Sequence, residues 1–182
     1  LIRVGGPTDG GYVMGGPLAA SGAISIGVGS DVSWDHDVGA RGIPIALFDH
    51  TVRKLPAHVP NGTFYRLGIG SAHGSKTQPL DQLLMIAGFT GRDDLLLKMD
   101  VEGAEWAALT QPGLADVQRF AQIVLELHGI AGLKDERSAE PVLAAVEHLT
   151  KNHVPVHVHA NNYDELVRFG NWWFPNAIEL SL

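Results

Sequence analysis

Acids and imidazoles recur in this chain directly after apolar runs of strand length. "LLLKM" (95–99) leads to Asp100, with Glu102 and Glu105 close behind, and "IVL" (123–125) leads to Glu126 and His128. Residues two apart on a strand point to the same face, so Glu126 and His128 act together, as do His157 and His159 in "VPVHVHANN" (154–162). A carboxylate-rich cluster with one imidazole suits Mg²⁺, Mn²⁺ or another hard-to-intermediate divalent cation. Asp100, Glu126 and His128 are the candidate ligands. His128 is also a candidate general base, as is Glu102, which alternatively caps the helix expected from about Gly103. Glu105 reads as facing solvent or pairing with Lys98, and Lys98 as an edge residue whose stem carries its charge to water. The paired histidines could serve a metal-dependent hydrolase, or face a substrate.

These groups must be positioned by a repeating frame. Apolar runs read as strands at "AISIGVG" (23–29), "IPIALFDH" (43–50), "GTFYRLGIG" (62–70), "DLLLKMD" (94–100) and "RFAQIVLELHG" (119–129). Between them lie a short helix over "VSWDHDVGARG", a helical period over 79–89 and an amphipathic helix with an acidic start over 139–152. The alternation predicts an α/β domain with a mainly parallel sheet. Two late strands, 154–162 and 174–182, have only a loop between them and predict an antiparallel edge hairpin. Asn161 and Asn162 fall in that loop, and Trp172 and Trp173 read either as a hydrophobic plug beneath it or as a stacking surface for sugar rings. "GGPTDGGYVMGGP" (5–17) reads as a loop or small hairpin whose "PTDGGYV" portion closes over the sheet, so residues 1–22 are expected to form an N-terminal segment and 23–182 the main domain.

In such sheets ligands bind beyond the carboxyl ends of the strands. Those ends carry Gly27-Val28-Gly29-Ser30-Asp31, Asp49-His50, Gly68-Ile69-Gly70-Ser71, Asp100-Val101-Glu102-Gly103 and Glu126-Leu127-His128. The net charge of -7, without a basic run, argues against a nucleic-acid partner. No apolar segment reaches the roughly 18 residues of a membrane helix. The chain has no cysteine, which excludes disulfides and thiolate metal sites and fits a reducing, cytoplasmic setting.

The chain resembles class I S-adenosylmethionine-dependent methyltransferases and, more narrowly, the FkbM-like methyltransferases. The resemblance is carried by "KMDVEGAEW" (98–106), "SIGVGSDVSWD" (25–35), "FDH" (48–50) and "RVGGPTDGGYV" (3–13). It implies a Rossmann-like, seven-stranded sheet. In that sheet the first strand is central, the second and third lie to one side and the fourth and fifth to the other. The last strand is slotted antiparallel between the fifth and sixth. One departure is that Ser25 stands where the fuller glycine-loop motif carries an acid.

The resemblance implies S-adenosyl-L-methionine as cofactor, with Gly27, Val28 and Gly29 against its amino-acid part, Asp49 on its ribose hydroxyls, His50 against adenine and Asp100 beneath. Asp31 or Asp35 is expected to hold its ammonium or to serve as a helix cap or solvated acid. It further implies a methyltransferase acting on a hydroxyl of a sugar, polysaccharide or glycosylated natural product, with a base or a divalent metal to remove the proton. A non-catalytic binding domain that keeps the cofactor fold is the alternative from another class.

Overall fold

The computed structural model describes residues 1–8, 10–70, 74–110 and 117–182. Asp9, within the "PTDGGYV" portion, and Ser71, at the expected third strand end, lie outside the described residues. The chain opens with an antiparallel hairpin of β1 (Ile2–Val4) and β2 (Tyr12–Met14). Then follow β3 (Gly22–Ile26), α1 (Ser33–Ala40), β4 (Ile45–Phe48) and β5 (Gly62–Tyr65). A small parallel pair, β6 (Gly68–Ile69) and β7 (Thr77–Gln78), precedes α2 (Leu80–Ile86) and β8 (Leu95–Met99). After α3 (Glu105–Leu109) come β9 (Phe120–Leu127), a 3-10 turn (Ile130–Lys134) and α4 (Glu136–Thr150). The chain ends with β10 (His157–Ala160), β11 (Leu166–Phe169), β12 (Trp172–Pro175) and β13 (Ile178–Ser181).

Seven strands form the main sheet in the order β10-β13-β9-β8-β3-β4-β5. Strands β5, β4, β3, β8 and β9 run parallel, and β13 is antiparallel to both β9 and β10. This is a mixed α/β, mostly parallel sheet with an antiparallel hairpin at one edge, consistent with a Rossmann-like fold. The interior strands read as unbroken apolar runs because both faces are covered. Ile24, Ile26, Leu95, Leu97 and Met99 pack against α2, α3 and α4 through Leu83, Ala108 and Leu149. The alternate residues Ala23, Leu47 and Leu96 face Trp34 and Val38 of α1 and Val4, Tyr12 and Met14 of the hairpin. Ser25 and Lys98, neighbours in the β3–β8 register, share that second face.

Two expectations change. The third strand stops at Tyr65, because Gly68 and Ile69 leave the sheet to pair with Thr77 and Gln78. The connection between the late strands is not a bare loop but carries the hairpin β11–β12. Trp172 and Trp173 stand on this hairpin at 73% and 62% exposure, so neither is a buried plug.

Candidate active site

The five parallel strands end along one edge, and two adjoining pockets open there. The first is a cavity of about 250 Å³ between the ends of β3, β4 and β8, lined by Gly27, Gly29, Asp49, His50, Gly68 and Asp100, among others. The second, at the ends of β8 and β9, is lined by Asp100, Glu102, Glu126, His128, Asn161 and Tyr163, together with Asp164 and Ala177. Asp100 and Glu102 belong to both walls.

The floor of the first cavity is the turn from β3 into α1. Gly27 has φ +83, and a Cβ there would collide with the carbonyl oxygen of Asp100, so only glycine lets β3 and β8 end this close together. Gly29 has φ +54, and a Cβ there would meet nothing within 4 Å. It therefore presents bare main chain to the cavity. Asp49 fastens this turn. Its Oδ2 accepts the N–H groups of Val28 and Gly29 at 3.0 Å each, and its Oδ1 accepts the Thr51 N–H at 2.7 Å and hydroxyl at 2.6 Å. Burial opposes its ionisation, but the bonds from Thr51, Gly29 and Val28 outweigh it and hold the carboxyl down to about 2. The oxygens read as ribose acceptors thus already bind the loop. His50 lies in the wall with its ring against Gly68, where a Cβ would strike it.

Neither candidate for the cofactor ammonium lies in this cavity. Asp31 accepts the Ser33 N–H at 2.6 Å at the start of α1. Asp35 is fully buried on α1. Burial raises its pKa, opposed by the charge of Lys98.

In the second pocket Asp100, Glu126 and His128 do come together, and a residue read as solvent-facing organises them. Glu105 is completely buried. Its Oε1 accepts the Val101 N–H and its Oε2 the Gly103 N–H, each at 2.9 Å, and His128 Nδ1 lies 3.0 Å from Oε1. These bonds straddle Glu102, which is held at φ 55, a conformation uncommon outside glycine. Glu102 does not cap α3: the first helical turn is preceded by Ala104 without a side-chain cap, and the Glu102 carboxylate is 87% exposed, 3.6 Å from His128 Nε2. Lys98 is likewise no edge residue. It is 3% exposed on an interior strand and donates to the Gly27 carbonyl at 2.9 Å.

His128 Nε2 lies 3.4 Å from Glu126. Its bonds to Glu105 and Glu126 push its pKa up to about 10 against the effect of burial. Glu126 is held below its ordinary value despite burial by bonds from His128 and Asn161. The Tyr12 hydroxyl also reaches Glu126, at 3.5 Å. Asp100 behaves oppositely. Burial pushes its carboxyl up to about 6, although the Lys98 ammonium at 4.0 Å favours the ionised form.

A metal would find ligand atoms of Asp100, Glu105 and His128 within 4.8 Å of one another, so Glu105 takes the place given to Glu126. Two members of that donor set, Glu105 and His128, already have partners. Glu105 accepts two N–H groups and faces the imidazole, while both nitrogens of His128 face carboxylates. To hold a cation, Glu105 and His128 would have to give up these partners. His157 and His159 stack with ring centroids 6.1 Å apart on the edge strand, separated from β9 by β13.

The signals for Glu105 and Lys98 were present in the sequence, inside "KMDVEGAEW", but which way each side chain turned was not. Asn161 was legible as a residue of the late loop, but its contact with Glu126 was not: it arises because β13 brings β10 alongside β9. Among the described residues, no helix is long and apolar enough to cross a membrane. Residues 62–167, more than half of the chain, match the family model described as "Methyltransferase FkbM domain". No curated protein and no solved structure matches the chain.

Proposed function

Because the chain belongs to the FkbM methyltransferase family, we propose that it is an S-adenosylmethionine-dependent O-methyltransferase with the class I architecture, acting on a hydroxyl of a sugar, polysaccharide or glycosylated natural product. The observation that carries this reading is the shared wall of the two pockets. Asp100 and Glu102 line both the glycine-floored cavity and the acid-lined pocket beside it. A donor in the first and an acceptor in the second would meet at Asp100, as an in-line transfer requires.

The first cavity fits the cofactor. Gly29 offers open main chain, the Val28–Gly29 segment is fixed from behind by Asp49, and His50 supplies a flat wall. Bound there, S-adenosylmethionine supplies an electrophilic methyl group. The remaining work falls to the chain. A hydroxyl needs a base whose pKa lies near the working pH. Asp100, at about 6, meets that need, whereas His128, at about 10, keeps its proton at neutral pH. The base therefore moves from His128 to Asp100. The imidazolium of His128 holds Glu126 and Glu105 in place and offsets their charge beside the acceptor. No step is assigned to a metal, since Glu105 and His128 are already engaged with each other, with Glu126 and with main-chain N–H groups.

Calorimetric titration with S-adenosylhomocysteine, with and without EDTA, tests the donor site. Wild type should bind in both conditions, and Gly29→Val, which fills the cavity floor, should abolish binding. A folded wild-type protein without affinity would end the reading. Methyl transfer to a panel of mono- and oligosaccharides then tests the acceptor class.

A further inference from the structure

The mechanism leaves two buried ionisable groups unused. Lys98 sits on β8 with its ammonium almost wholly out of water, and the Gly27 carbonyl it binds at 2.9 Å opens the loop that floors the first cavity. Asp35, on α1, is fully buried on the same side of the sheet, as is Ser25. An isolated buried charge is costly unless paired. Burial raises the Asp35 pKa, and the Lys98 charge is the leading influence against that rise. The other groups facing the ammonium are Asp100 at 4.0 Å, the Tyr12 ring at 5.9 Å, and Glu126, whose pKa its charge also lowers.

The loop is therefore tied from two sides. Asp49 takes the N–H groups of Val28 and Gly29, and Lys98 takes the carbonyl of Gly27. These orient successive peptide groups in the segment that faces the cavity. A side chain needed only to fill space there would be apolar, as Leu96 is one step along the same face.

We propose that Lys98 is a positioning residue of the donor site, fixing the Gly27 peptide so that the Gly27–Gly29 main chain is set for the cofactor. This rests on the reading of the first cavity as the donor pocket.

The test is Lys98→Met/Asp35→Asn, which removes the buried ammonium together with the buried carboxyl on the same side of the sheet. Replacing buried ionisable groups together by neutral groups of similar size is often neutral for stability. The thermal midpoint should stay close to wild type, while the Kd for S-adenosylhomocysteine rises about tenfold or more, as expected when a charged hydrogen bond that orders a site is lost. If this variant does not fold, Lys98→Leu/Asp35→Asn, which also removes the donor at position 98, gives the same comparison. A folded variant that binds S-adenosylhomocysteine with wild-type Kd overturns the positioning role, even if its thermal midpoint has fallen. Absence of binding by wild type overturns the donor-site reading itself, and this inference with it.

Discussion

Asp100 and His128 stand in one pocket and are pushed in the same direction for opposite reasons. Burial lifts Asp100 to about 6 by penalising its charged form, and carboxylate partners lift His128 to about 10 by rewarding its charged form. Asp100→Asn should lower turnover by about 10²–10⁴ with unchanged folding, the usual contribution of a general base. The wild-type rate should fall as pH drops through about 6, because only the ionised carboxylate accepts a proton. Full activity in the variant, or a rate flat down to pH 5, would remove Asp100 from the chemistry. His128 yields a stability prediction. Its folded pKa is raised from 6.5, so its stabilisation is complete below 6.5 and is lost as pH rises toward about 10. Urea midpoints of wild type should therefore decline between pH 7 and pH 10 more steeply than those of His128→Gln, and parallel curves would contradict the charge assignment.

The elements that hold these residues draw on different sources of order. Helix α4 begins at a true cap: Asp135 accepts the Ser138 N–H at 3.0 Å and its hydroxyl at 3.0 Å. Asp135→Ala should cost about 0.5–2 kcal/mol in a denaturant titration, the range for loss of an N-cap, and no change would mean that the helix start is held by packing alone. Helix α3 is only five residues long, and no side chain caps it. The turn ahead of it depends on Glu105, whose carboxylate replaces absent main-chain partners for Val101 and Gly103. The same carboxylate orients His128, so a single side chain joins the end of β8 to the end of β9.

At the scale of the molecule the N-terminal hairpin is part of the core. Val4, Tyr12 and Met14 are buried with Trp34 and Leu96, and Tyr12 spans from that core to Glu126. Its turn is fastened to α1 by the Gly5 N–H to Asp37 and the Gly6 N–H to Ser33, at 2.9 and 2.8 Å. Each of the three buried side chains contributes about 1.5–3 kcal/mol. A chain lacking residues 1–20 should therefore lose its cooperative thermal transition, followed by circular dichroism. Retention of a transition near the full-length midpoint would show that the hairpin is dispensable.

The sequence alone determined the alternation of strands and helices, the apolar interior of the parallel strands and the strand ends at which polar groups collect. Periodicity and burial are local properties, and "LLLKMD" and "IVLELH" declare them. It also determined that Asp100, Glu126 and His128 would be neighbours, since parallel strands end along one edge. What tertiary structure decided was the direction and the company of each charged side chain. Glu105 and Glu102 sit three apart in one motif, yet the first is fully buried and the second exposed, because the left-handed turn at Glu102 swings the chain between them. Lys98 could have reached water from an edge strand, but on β8, between β3 and β9, it had only the Gly27 carbonyl and buried carboxylates to meet. Asn161 met Glu126 across a strand that the chain had not yet formed when it passed residue 161, and no local pattern encodes a contact of that kind.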